Sequence, residues 1–180
     1  MTLGALSATA NQYFRNAAGV PLNHVKHFAF GCEEVCPGCE LGCGMQSIDQ
    51  LTAIYKDSSS GIAPPAAFLL ETIQAEGGVK VASKEWLQAL AKLAKEVGAL
   101  LIVDDIQVGV GRTGSVFSFD DLGIDPDIIC LAKGIGGMGT PMAMNLVKPE
   151  LDEHWSPGEH TGTFRGQDIS FVAGDQALTY

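Results

Sequence analysis

The chain has 180 residues, 46% hydrophobic and 18% charged, which is enough for a buried core and too apolar for a disordered segment. A net charge of −10 argues against nucleic acid or an anionic membrane surface as a partner. No apolar run is long enough to span a bilayer, and the opening MTLGALSATANQ has no positive start followed by a long apolar stretch, so no secretory signal is read and a cytoplasmic location is expected.

In chain order, Leu3, Leu6 and Ala10 fall at helical spacing and predict a helix over residues 1–10 with no visible cap. Residues 11–23 are polar, include Pro21, and read as a loop. HVKHFAF over residues 24–30 alternates as a strand does. His24 and His27 would then face opposite sides, so a two-histidine metal site is not expected.

CEEVCPGCELGC places Cys32, Cys36, Cys39 and Cys43 within twelve residues, inside a Cys-rich loop of residues 31–46. Four thiolates could hold zinc or an iron–sulfur cluster, yet four ligands from so short a loop are cramped. The plainer reading is a surface loop whose thiols cluster, and both readings stand at this point. Cys130 lies in a predicted core strand, where a thiol is inert.

SIDQLTAIYK, residues 47–56, reads as an amphipathic helix with Ser47 or Asp49 as cap. Residues 57–65, DSSSGIAPP, form a turn-rich connector, and residues 66–71, AAFLLE, a buried strand ending on an acid. Residues 83–97 form the clearest helix: Ser83 caps it, Trp86, Leu87, Leu90, Leu93, Ala94 and Val97 make its apolar stripe, and Gly98 stops it. Strand, helix and strand at this spacing predict a parallel βαβ unit.

The run Leu100-Leu101-Ile102-Val103 ends on Asp104 and Asp105, and DIICLA, residues 127–132, ends on Lys133. Both read as strands of a parallel sheet buried on both faces. An acid and a lysine at the C-terminal ends of such strands lie where open α/β sheets bind ligands. The chemistry that uses this pair is that of pyridoxal 5′-phosphate, with a lysine amine forming a Schiff base and an ionised acid keeping the ring nitrogen protonated. A solvated lysine and a helix-capping acid would look the same on this pattern alone. Gly134-x-Gly136-x-x-Gly139 formally matches a dinucleotide fingerprint, but Pro141 and Pro149 leave no room for its helix, and TPMAMNLV reads as a strand. Residues 168–180 have apolar positions at helical spacing.

VDDIQVGVGRTG and PDIICLAKGIGGMGTPMA together resemble the signature of the class III (ω-type) aminotransferases, which are fold-type-I pyridoxal phosphate enzymes. The resemblance implies that Lys133 carries the cofactor, Asp104 faces its ring nitrogen and Gln107 approaches its ring 3-oxygen. Asp104 and Lys133 are 29 positions apart (133 − 104), which fits the family. The family has Asp-Glu where this chain has Asp104-Asp105. ETIQAEGGV resembles the Glu-Pro-x-Gln-x-Glu-x-Gly segment, with Thr72 in place of proline; by that match Glu76 gates substrate choice by pairing with an arginine of a C-terminal domain. HTGTFRG resembles a stretch in which Thr163 donates to the cofactor phosphate of a neighbouring subunit, with Arg165 and Gln167 where glycine and asparagine are usual.

DSSSG-x-x-x-PAA, ETIQAEGGV, VDDIQ and GEHTGTFRG are most similar to one subgroup, the diaminobutyrate–2-oxoglutarate aminotransferases and their siderophore-pathway relatives. The resemblance implies an α/β fold: the central, mostly parallel part of the large cofactor domain, with flanking helices. It implies that residues 1–180 are a partial large domain, with an N-terminal segment and a C-terminal small domain absent. The implied partners are an amino-acid substrate, 2-oxoglutarate and a second copy in a homodimer or higher homo-oligomer. Two alternatives remain: another ω-aminotransferase, of ornithine, GABA or acetylornithine type, or a non-catalytic fragment with a metal-binding Cys-rich loop.

Overall fold

The computed structural model describes residues 2–22, 24–31, 43–137 and 139–179, which form two compact units, Met1–Phe30 and Gly31–Tyr180. Cys32, Cys36 and Cys39, and with them most of the Cys-rich loop, lie outside the described residues. Cys43 is the first position of a helix.

In the first unit, α1 (Leu3–Ala8) is capped by Thr2, whose hydroxyl accepts from the Ala5 amide at 3.3 Å. A short helix α2 (Gln12–Asn16), capped by Asn11, interrupts the expected loop. The Arg15 guanidinium donates to the carbonyls of Ser7 (2.6 Å) and Thr9 (3.0 Å), satisfying acceptors that the end of α1 leaves open. The strand expected over residues 24–30 does not form. His24, at its start, takes a positive φ of 67°, residues 25–30 join no sheet among the described residues, and the His27 ring donates to the Ala8 carbonyl at 3.1 Å.

The second unit is built on a four-stranded sheet in the order β1 (Ala67–Leu70), β4 (Leu100–Asp104), β5 (Ile128–Ala132), β6 (Ala143–Val147). The first three strands are parallel and β6 is antiparallel to β5. β2 (Ile73–Gln74) and β3 (Lys80–Val81) make a separate two-stranded ribbon just after β1.

Helix α4 (Lys84–Val97) supplies the crossover between β1 and β4 that parallel pairing requires. Ser83 accepts from the Trp86 amide at 3.2 Å, Glu85 and Lys95 match the helix dipole, and Gly98 ends the helix at a φ of 72° that suits glycine. Its stripe of Trp86, Leu87, Leu90, Leu93 and Ala94 is fully buried, each large side chain contributing about 1.5–3 kcal/mol by leaving water. α3 (Cys43–Lys56) packs beside it and begins before the expected cap. Ser47 therefore sits inside the helix, where its hydroxyl donates to the Gly44 carbonyl (2.8 Å) and accepts from the Trp86 ring nitrogen (3.0 Å).

Phe68 and Leu70 on β1 and Leu101 and Val103 on β4 form the buried face of the sheet, with Tyr55 of α3 edge-on to Phe68. The other face is only partly covered: Leu69 is 45% exposed, and Leu100 and Ile102 are half-buried. Burial of these strands on both faces is thus not found among the described residues, because α3 and α4 layer one side. After β5 the chain makes a single 3-10 turn (Lys133–Gly136) and then enters β6, so the glycine fingerprint opens no helix. A short helix α5 (Pro149–Asp152) follows β6, and α6 (Asp168–Thr179) packs on the 3-10 turn. The approach is close: a Cβ at Gly174 would lie 2.8 Å from the Ile135 carbonyl, and one at Gly137 2.7 Å from that of Ala173.

Candidate active site

The C-terminal ends of β1, β4 and β5 lie side by side. Leu70 pairs with Val103, so Glu71 and Asp104 are neighbours at the next step, and Asp104 itself pairs with Cys130. Lys133 follows β5 directly and opens the 3-10 turn at a φ of 53°. A non-glycine residue in this region is strained by about 1–2 kcal/mol. Such strain clusters at functional sites, and here it falls on a lysine that directly follows a sheet strand.

Asp104 is half-buried, and one oxygen accepts from the Ile106 amide at 3.1 Å. Gln107 lies on the turn after β4, and its side-chain oxygen accepts from the Lys133 ammonium. The structure thus brings Asp104, Gln107 and Lys133 together at one end of the sheet. Glu76 is exposed on the turn between β2 and β3; its charge is felt at Glu71. Thr163 is exposed on the loop between α5 and α6.

Glu71 went unassigned in the sequence, although it ends its apolar run on an acid just as Asp104 does. Burial, then the nearby Asp104 charge and that of Glu76, push its carboxyl above the usual range against the pull of Lys133. Asp104 is also pushed up, by burial first and by Asp105 next, against the Ile106 amide and Lys133, which favour its ionised form. The Cys130 thiol is raised by burial and by Asp104, which keeps it protonated and unreactive, as expected of a core cysteine.

Two half-buried carboxyls facing one ammonium leave the site short of positive charge. A protonated ring nitrogen would supply it, and the Lys133 amine stands within reach of the same space; the donor set therefore fits pyridoxal phosphate. Lys133 also borders an open cleft lined by Gly139, Thr140, Pro141, Met142 and Ala143. Among the described residues, no group of three or more His, Cys, Asp or Glu side chains is placed to hold a metal ion.

The profile of the family Aminotransferase class-III matches residues 1–180. The chain belongs to the class-III aminotransferases. Among the curated relatives of this class-III chain, a diaminobutyrate–2-oxoglutarate transaminase of Oceanobacillus iheyensis is 48% identical over 178 residues, which are 99% of this chain and 40% of the relative. Another from Vibrio parahaemolyticus is 49% identical over 177 residues, 98% of this chain and 40% of the relative. Among solved structures, an (S)-enantioselective omega-transaminase from Thermomicrobium roseum superposes with a TM-score of 0.79 at 27% identity, covering 99% of this chain and 41% of that one. The chain spans about 40% of the length of the curated relatives it matches. Class-III aminotransferases are pyridoxal phosphate enzymes, and the α/β sheet with its flanking helices is their fold-type-I domain.

Proposed function

We propose that the protein containing this chain moves an amino group between L-2,4-diaminobutyrate and 2-oxoglutarate, giving aspartate 4-semialdehyde and glutamate, or the reverse. The observation that carries the chemistry is the convergence of Lys133, Asp104 and Gln107 at the ends of adjacent strands. The substrate pair comes from the relatives named diaminobutyrate–2-oxoglutarate transaminase.

Bound pyridoxal phosphate supplies an electron-accepting ring and a carbonyl carbon that takes up the amino group. Lys133 holds the group through its amine and, once displaced, serves as the base that moves the proton at the amine-bearing carbon of the substrate. Asp104 faces the ring nitrogen, where an ionised carboxylate keeps that nitrogen protonated. Its raised proton affinity in the bare site falls when a cation faces it. Gln107 orients Lys133 and approaches the ring oxygen. Thr163 is assigned to the phosphate of a neighbouring copy and Glu76 to substrate gating. The working protein is a cytoplasmic homodimer or larger homo-oligomer, and residues 1–180 are part of its large cofactor domain. No helix among the described residues is long and apolar enough to cross a membrane.

The test is glutamate formation from 2-oxoglutarate with diaminobutyrate, ornithine, GABA or acetylornithine as donor, and with Lys133→Ala as control. Diaminobutyrate is expected to be the preferred donor. Preference for one of the other three would retain the transaminase and replace the substrate; turnover by Lys133→Ala would refute the assignment of Lys133.

A further inference from the structure

Thr72 and Asp105 are two positions at which this chain departs from the family pattern, and in the fold they meet. Asp105 is fully buried at the end of β4 and Thr72 is 2% exposed at the end of β1. Ser118, thirteen residues beyond Asp105, lies between them. Its amide donates to one Asp105 carboxylate oxygen at 3.1 Å and its hydroxyl donates to the other. The Thr72 hydroxyl lies 2.5 Å from that of Ser118. A serine hydroxyl has one proton, and that of Ser118 goes to Asp105, so Thr72 must donate to Ser118. The order of donation is Thr72 to Ser118 to Asp105.

The relay lies under the candidate site. Thr72 and Asp105 are buried where their neighbours Glu71 and Asp104 are half-buried, as though the alternation of the strands ran on one step past their ends. The Asp105 amide donates to the Cys130 carbonyl at 2.9 Å and its carbonyl accepts from Gly109 at 2.9 Å, which fixes β4 to β5 and closes the turn carrying Gln107. A Cβ at Gly109 would overlap the Asp105 carboxylate, so the turn is seated directly on it. The loop returns to Ser118 through Val110, whose amide donates to Val116 at 2.8 Å and whose side chain lies beneath Gly134. Asp105 thus ties β4 to β5 and to the turn bearing Gln107 through its backbone, and to the end of β1 through its carboxylate, Ser118 and Thr72.

We propose that the Thr72–Ser118–Asp105 relay is a positioning device for the reaction, with Ser118 its central residue, holding Asp104, Glu71 and Gln107 at a fixed spacing against Lys133. None of the three relay side chains touches substrate; they act through the groups that do. The inference rests on the proposed transamination.

Ser118 is half-buried, so Ser118→Ala removes the hydroxyl without opening a large void, and Ser118→Thr retains it. In the full-length protein, Ser118→Ala is expected to keep the reducible pyridoxal phosphate adduct at Lys133 while lowering the melting temperature, because the buried Asp105 carboxylate loses a hydrogen-bond donor. Its kcat is expected to fall about 10- to 100-fold, the scale set by small misplacements of catalytic groups, with KM changed far less. Ser118→Thr should restore kcat. The relay is overturned if Ser118→Ala turns over normally, if its loss lies wholly in KM, if Ser118→Thr is equally slow, or if the adduct at Lys133 disappears in Ser118→Ala alone. Absence of that adduct in the unsubstituted protein would instead refute the transamination reading itself.

Discussion

The left-handed backbone at Lys133 can be weighed by removing its side chain in two ways. Lys133→Ala and Lys133→Gly both delete the amine and its hydrogen bond to Gln107, so they differ only in whether a Cβ must be held at a φ of 53°. Holding it costs about 1–2 kcal/mol, and glycine relieves that. Glycine also gives the unfolded chain more freedom, worth about 0.4–1 kcal/mol in the opposite sense. Taking the middle of each range, Lys133→Gly is expected to be more stable than Lys133→Ala by about 0.8 kcal/mol. For a domain of this size that is roughly 1–4 °C in melting temperature. The melts are to be run with no cofactor added, because bound ligand would add stability of its own. If Lys133→Ala is as stable as Lys133→Gly or more so, the turn is not strained and that part of the reasoning fails.

Trp86→Ala should cost about 3–5 kcal/mol in denaturant unfolding, because the ring is 1% exposed and its N–H satisfies Ser47; a loss below about 1 kcal/mol would contradict its place in the core. Glu71→Gln should stabilise the cofactor-free protein at neutral pH. The folded state raises the proton affinity of Glu71 above its ordinary value of 4.5, so the stability tied to its neutral form is present below that pH and lost as pH rises through the higher folded value. Melting temperatures at pH 4 and pH 7 check this: the variant should gain at pH 7 and show little gain at pH 4, and a gain confined to the acid side would reverse the sign of the argument.

The parts of the site legible in the sequence were those encoded locally. Asp104 and Lys133 each end a short apolar run, and the end of a run marks the end of a strand whatever the rest of the chain does. The caps of α4 were legible for the same reason, since Ser83 and Gly98 act within one turn of themselves. Ser118 carried no such signal: its value lies in joining Asp105 to Thr72, and Thr72 is 46 residues away in sequence. Glu71 showed the same pattern as Asp104, but only the register of β1 against β4 makes the two carboxyls neighbours. Alternation misled over residues 24–30, because a pattern does not supply a neighbouring strand and the segment joins no sheet among the described residues. On β1 and β4 an apolar run states that a strand prefers burial and not which layer covers it; among the described residues only α3 and α4 cover a face.

The central claim is that Lys133 carries the cofactor. The direct measurement is to incubate the full-length protein with pyridoxal phosphate, reduce with borohydride, digest, and locate the modified residue by mass spectrometry. The account predicts one modified peptide, carrying the adduct on Lys133, and none when reduction follows Lys133→Ala substitution. A stable adduct on another lysine, or none on Lys133, would contradict it.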